Sequence, residues 1–150
     1  VIDRTGVALG MPFPAGRIMD QMALADHRKE PDNYLKKISV DGLAINLSGM
    51  EAQLQRELKK GADPERLIYE LFWNMSDCLC RLTEKAVAET GCDRILFTGG
   101  VAASRFVRES VHDYFEDKTW KLVFGDPDLS PDNAVGTALL GGKELWQSNR

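Results

Sequence analysis

The stretch Arg94-Ile95-Leu96-Phe97-Thr98-Gly99-Gly100-Val101-Ala102-Ala103-Ser104 decides how the rest of the chain is read. Its apolar run suits a short buried strand over 94–98, and two glycines then interrupt it. An amphipathic segment follows, with Phe106, Val107 and Val111 on one helical face and Ser104 as a start signal, which predicts a helix over 104–115. Strand, bare turn and helix in that order place exposed backbone at a strand's carboxyl end, where open α/β sheets bind ligands. N–H groups of such a turn suit a phosphate, a ribose or a base edge.

The pattern repeats downstream. Trp120–Phe124 reads as a second strand, and Ser130-Pro131-Asp132-Asn133 opens a last helix with an N-cap and a proline at the first helical position. Strand, helix, strand, helix favours a parallel pair by the crossover rule. Gly136, Gly141 and Gly142 fall in that last helix, where each costs about 1 kcal/mol against alanine. Close packing or ligand approach is the reason to keep them. Asp132 has two readings, a cap for its own helix or a carboxylate facing a metal or hydroxyl group.

Upstream, residues 3–9 read as short helical turns, and Met11–Gly16 as a loop stiffened by Pro12 and Pro14. Ile18, Met19, Met22 and Ala23 predict a helix over 17–26. The polar stretch 27–33 reads as a surface loop. Asp41-Gly42 between Tyr34–Val40 and Leu43–Leu47 signals a hairpin. Ser48 and Glu51 match a capping box for a helix over 49–60. Asp63-Pro64 opens the longest element, whose stripe of Ile68, Leu71, Phe72, Met75, Leu79, Leu82 and Ala86 continues until Gly91.

Bulk properties bound the function. A chain of 150 residues with 43% hydrophobic and 28% charged residues is about one soluble domain. Its net charge of −4 gives no general attraction to nucleic acid. No apolar stretch approaches the ~18 residues of a membrane span. The opening Val1-Ile2-Asp3-Arg4 has neither an initiator Met nor a signal-peptide layout, which suggests a piece of a longer protein. Three cysteines fit a reducing compartment rather than a disulfide framework. Cys78 and Cys80 lie two apart on a helix and point to nearly opposite faces, so they read as packed thiols and not as a metal pair.

Among self-contained catalytic motifs, the chain has no GxSxG elbow, no P-loop and no HExxH. His27 and His112 are its two histidines and do not form a zinc pair. Three patches could instead converge: the Gly99-Gly100 turn, Ser130–Asn133 at the analogous place after the next strand, and Asp3 with Gly16.

Taken in order, Asp3 through Gly16, Ser48-Gly49, Gly99–Arg105 and Ser130–Ala134 resemble the carboxyl-terminal half of the TsaD family, once called O-sialoglycoprotein endopeptidases or glycoproteases. The resemblance implies an α/β, actin/sugar-kinase/Hsp70-like (ribonuclease H-like) nucleotide-binding fold. Residues 1–150 would be the second domain of a two-domain protein whose amino-terminal domain this chain lacks. It implies a tRNA adenosine N6-threonylcarbamoyltransferase in full length, acting next to the anticodon, with the isolated fragment inactive and holding no catalytic residue of its own. Nucleotide or substrate contacts would fall to Asp3, Gly16, Gly99, Gly100 and Ser104. Asp132 would complete a divalent-metal site (iron, zinc or magnesium) with two histidines of the amino-terminal half. ATP or threonylcarbamoyl-adenylate would be the ligand. Implied partners are its own amino-terminal domain, tRNA and tRNA-modification proteins in the cytoplasm, with no membrane, and a homodimer through the open face is a further expectation.

The chain departs from the family pattern at three places. Arg17 stands where the family loop has proline, Ser104 where it has asparagine, and Glu51 where it has lysine. Glu51 reverses a local charge near any phosphate, and Ser104 loses an amide donor. These departures define an alternative, a non-catalytic binding or dimerisation paralogue. A peptidase reading finds no nucleophile–base pair and no complete metal site.

Overall fold

In the computed structural model, which describes residues 1–26, 30–129, 136, 139 and 140, the chain begins with two short helices. These are α1 (Ile2–Ala8) and α2 (Gly16–Ala25). A hairpin of β1 (Ser39–Asp41) and β2 (Ala44–Asn46) leads to α3 (Met50–Lys59) and to the long helix α4 (Pro64–Thr90). Strand β3 (Arg94–Phe97), one 3-10 turn (Val101–Ala103), helix α5 (Arg105–Tyr114) and strand β4 (Lys121–Phe124) complete the described elements. Strands β3 and β4 pair in parallel, with Arg94 opposite Lys121 and Phe97 opposite Phe124. Most of the expected last helix lies outside the described residues, Asp132 included.

Helix α4 is the axis of the fold, and its ends are chemically marked. Asp63 caps it by accepting from the Glu65 amide at 3.0 Å, Pro64 occupies the first position, and Gly91 ends it in the left-handed region at φ 68°. Its 27 residues span about 40 Å. The amino-terminal half is buried almost all round. Leu67, Ile68, Leu71 and Phe72 are essentially inaccessible, and each such burial stabilises by about 1.5–3 kcal/mol. Helices α2 and α5 pack against it, and Phe106 of α5 meets both Tyr69 and Phe72 edge-on. Cys78 and Cys80 are buried free thiols, and burial pushes Cys80 up to about 12. Neither is a nucleophile at neutral pH.

Two local expectations change. The strand expected over Tyr34–Val40 shortens to Ser39–Asp41 because side chains take its first amides. Glu70 accepts from Leu35 and Tyr34 at 2.7 and 3.0 Å, and Gln53 accepts from Lys36 at 2.8 Å. Those donors are thereby withdrawn from any ladder. The capping box at Ser48 does not form either. Ser48 turns its hydroxyl to Asn46, Gly49 holds the N-cap position, and Glu51 reaches away to Arg4 at 3.3 Å.

Glu70 is 1% exposed. Burial lifts its carboxyl above the ordinary 4.5, against the lowering effect of the Leu35 and Tyr34 amides, and Asp32 and Glu57 add to the rise. A raised carboxyl binds more protons folded than unfolded. Its stabilising contribution is therefore full below about pH 4.5 and is lost as pH climbs through the folded value. Relative to Glu70→Gln, the wild type should gain stability between pH 7 and pH 4.5 in urea denaturation. Parallel pH profiles for the two proteins would contradict this.

Candidate functional site

The site grows from two helix starts and one glycine turn. At the first, α2 begins at Gly16, and Asp3 from α1 supplies the cap. Its Oδ1 accepts from the amides of Ala15 and Gly16 at 2.8 and 2.9 Å. Asp3 and Gly16, thirteen residues apart, are thus held together by the local fold. At the second, α5 begins after Ser104, whose Oγ accepts from the Val107 amide at 3.1 Å. That hydroxyl donates its proton to Asp20 at 2.5 Å. The same Asp20 carboxylate accepts from the Arg105 and Phe106 amides, each at 3.0 Å. One side chain on α2 therefore terminates α5 from 84–86 residues away.

Between these starts lies the turn after β3. Gly99 sits at φ 101°, where only glycine is unstrained, and the carbonyls of Gly99 and Gly100 accept from the Ala103 amide. A Cβ added at Gly100 would meet nothing within 4 Å, and Gly100 itself has ordinary helical φ and ψ. Neither packing nor backbone geometry explains a glycine there. Gly100→Ala should accordingly leave stability within about 0.5 kcal/mol of wild type in thermal denaturation. A large loss would show that the space is not open.

Asp3, Gly16, Gly100 and Ser104 all line one cleft of about 980 Å³. The structure thus gathers four of the six residues singled out from sequence. Gly99 shapes the turn but is not among the lining residues, and Asp132 lies outside the described residues. Phe72 and Met75 of α4 form part of an apolar floor, and Phe13, 76% exposed, stands at the lip. Sequence reading missed Asp20, a lining residue at 9% exposure. A signal for it existed: residues 16, 19, 20 and 23 fall on one face of α2, with Met19 and Ala23 buried beside it.

The electrostatics of the cleft follow from these bonds. Asp3 and Asp20 oppose the positive ends of α2 and α5 and occupy their first amides. Ser104, donating to Asp20 and accepting from the Val107 amide, keeps one lone pair for a ligand. Arg4 and Arg17 line the cleft beside the carboxylates of Asp3, Asp20 and Asp128, and Arg4 is engaged by Glu51. Glu51, expected to reverse the field here, is offset by its contact with Arg4. Among the described residues no group of three or more His, Cys, Asp or Glu side chains is placed to hold a metal ion.

The sequence model of the TsaD family, described as tRNA N6-adenosine threonylcarbamoyltransferase, matches residues 1–139. The chain belongs to this family. Curated relatives cover the same stretch. A tRNA N6-adenosine threonylcarbamoyltransferase of Thermococcus gammatolerans is 31% identical over 142 residues, which is 93% of this chain and 42% of that protein. The enzyme of the same name from Methanopyrus kandleri is 29% identical over 141 residues, 94% of this chain and 39% of that protein. A probable bifunctional tRNA threonylcarbamoyladenosine biosynthesis protein of Methanothermobacter thermautotrophicus is 28% identical, covering 94% of this chain and 26% of that protein. The chain therefore spans less than half the length of these TsaD relatives. No helix among its described residues is long and apolar enough to cross a membrane.

Proposed function

We propose that the cleft holds the adenosine side of ATP or of threonylcarbamoyl-adenylate. In the full-length protein it would serve transfer of the threonylcarbamoyl group to an adenosine N6 amine of tRNA. One observation carries the reading: Asp3, Gly16, Gly100 and Ser104, from segments up to about a hundred residues apart, line a single cleft in a chain of the TsaD family. In this reading the α/β chain is the second domain of an actin-like, two-domain nucleotide-binding protein. The exposed outer face of the parallel pair, with Leu96 and Val123 accessible, supports further chain lying against it, since parallel sheets are normally covered on both faces.

The chemistry asked of these residues is binding and orientation. Bare backbone at Gly100 admits the ligand closely, Arg17 attracts its phosphate, and the apolar floor receives its less polar part. The tRNA amine forms a bond to the carbamoyl carbon and loses one proton to solvent, the bond from that carbon to the adenylate oxygen breaks, and AMP leaves with the electron pair. A divalent metal, in the family pattern, supplies Lewis acidity at the carbonyl. Its ligands would include Asp132 and two histidines of the amino-terminal domain.

Three departures motivated the non-catalytic alternative, and none of them now favours it. Glu51 is offset by Arg4, Ser104 retains a capping hydroxyl at the cleft, and Arg17 adds charge suited to phosphate. The test is transfer of labelled threonylcarbamoyl from its adenylate to tRNA by the full-length protein. Incorporation that is lost in Asp132→Ala supports the reading. Binding of the adenylate without incorporation would give the alternative instead.

A further inference from the structure

We infer that Arg108 is a positioning residue that fixes the spacing between the two loops framing the cleft, an inference that rests on the nucleotide reading of the cleft. Arg108 lies one turn into α5, is half-buried, and is not among the residues lining the cleft. Its Nε donates to the Ala102 carbonyl at 2.6 Å, in the turn after β3. One terminal nitrogen donates to the Gly125 carbonyl at 2.5 Å, in the loop after β4. The guanidinium also lies 5.2 Å from the ring centroid of Phe124, which stacks on Phe97 at 4.7 Å. These two aromatics end the two parallel strands at paired positions.

One planar group therefore ties together both places where a strand runs into a ligand-facing loop. The first loop carries Gly100, Val101, Ala103 and Ser104 to the cleft, and the second carries Pro127 and Asp128. The second loop also leads toward Asp132. Two strands paired in parallel fix their own ends, and the amide of Gly125 donates to Phe97 at 2.9 Å. Past that bond, Arg108 links the two turns directly. Each bond has a charged donor, which makes it about twice as strong as a neutral one. The fork geometry matters as much as the charge. Lysine has a flexible point charge and cannot hold two carbonyls in a fixed plane.

A device of this kind couples the walls, so that ligand ordering one loop orders the other. The experiment is hydrogen exchange by mass spectrometry on the full-length protein, wild type against Arg108→Gln and Arg108→Lys, without and with saturating ATP. Without ATP, amides at 100–103 and 125–129 should exchange roughly tenfold faster in Arg108→Gln, while those of α4 do not change. With ATP, the wild type should protect both loops. The variants should protect 100–103 and leave 125–129 fast. A variant merely less stable would exchange faster throughout, with both loops still protected together by ATP, and that result overturns the inference. So does unchanged exchange at either loop. If Arg108→Gln does not fold, Arg108→Lys carries the same comparison. Wild type that shows no ATP protection at either loop, yet has both loops loosened by substitution, overturns the nucleotide reading and leaves the tie between the loops standing.

Discussion

Asp20→Ala should lower the stability of the protein by about 2–4 kcal/mol, because it strands donors at the start of α5. The carboxylate accepts from the Ser104 hydroxyl and from the amides of Arg105 and Phe106, and it is 9% exposed. Its loss also removes the negative charge facing the helix's positive end. Asp20→Asn keeps acceptor capacity at one oxygen and should fall between the two. Urea denaturation reads the loss directly. The same variant should bind nucleotide poorly, since Ser104 and the turn behind it depend on that helix start. If Asp20→Ala stayed within about 0.5 kcal/mol of wild type, the bridge between α2 and α5 would be ornamental.

The second large effect belongs to Gly6. A Cβ there would lie 2.2 Å from the Cβ of Ala15 and 3.0 Å from the sulfur of Met19. Ala15 and Met19 are fully buried, and the Ala15 Cβ is fixed to the backbone and cannot swing away. Glycine inside a helix is otherwise unfavourable by about 1 kcal/mol, so its presence in α1 reflects this approach. Gly6→Ala should cost about 3 kcal/mol or more through overpacking, and should pull Asp3 away from the start of α2. Ala15→Gly removes the obstructing carbon. In a double-mutant cycle it should recover most of the loss, and independent, additive effects would contradict the contact.

Parts of this architecture were legible in the sequence because their signals are local. Asp63-Pro64 and Gly91 mark the ends of α4 through capping groups within two residues of the helix. Asp41-Gly42 marks the hairpin, where Gly42 has φ 54°. The apolar run before Gly99 marks β3 and, with the next run, its parallel partner. Other parts depend on partners remote in sequence. Ser48 and Glu51 form a sound capping pattern, yet Asn46 and Arg4 compete for their side chains and win. Nothing near Glu70 announces that it will hold the amides of residues 34 and 35. For Asp20, helical spacing put the carboxylate inward, but its three donors lie 84–86 positions further along the chain. Arg108 gave no local sign of its two carbonyls. The fold's elements were thus readable one at a time, while the bonds that bring them around the cleft were not.

The central claim is that this cleft accepts the adenosine side of an adenylate against the bare backbone at Gly100. Calorimetric titration of the full-length protein with ATP, beside a Gly100→Val variant, tests it most directly. The Cβ position at Gly100 is open in the protein, so folding should be preserved while the added side chain excludes the ligand. Wild type should show one binding site, and the variant affinity at least about tenfold weaker, a loss of ~1.4 kcal/mol, at unchanged thermal stability. Equal affinity in the two proteins, or no binding by wild type, would contradict it.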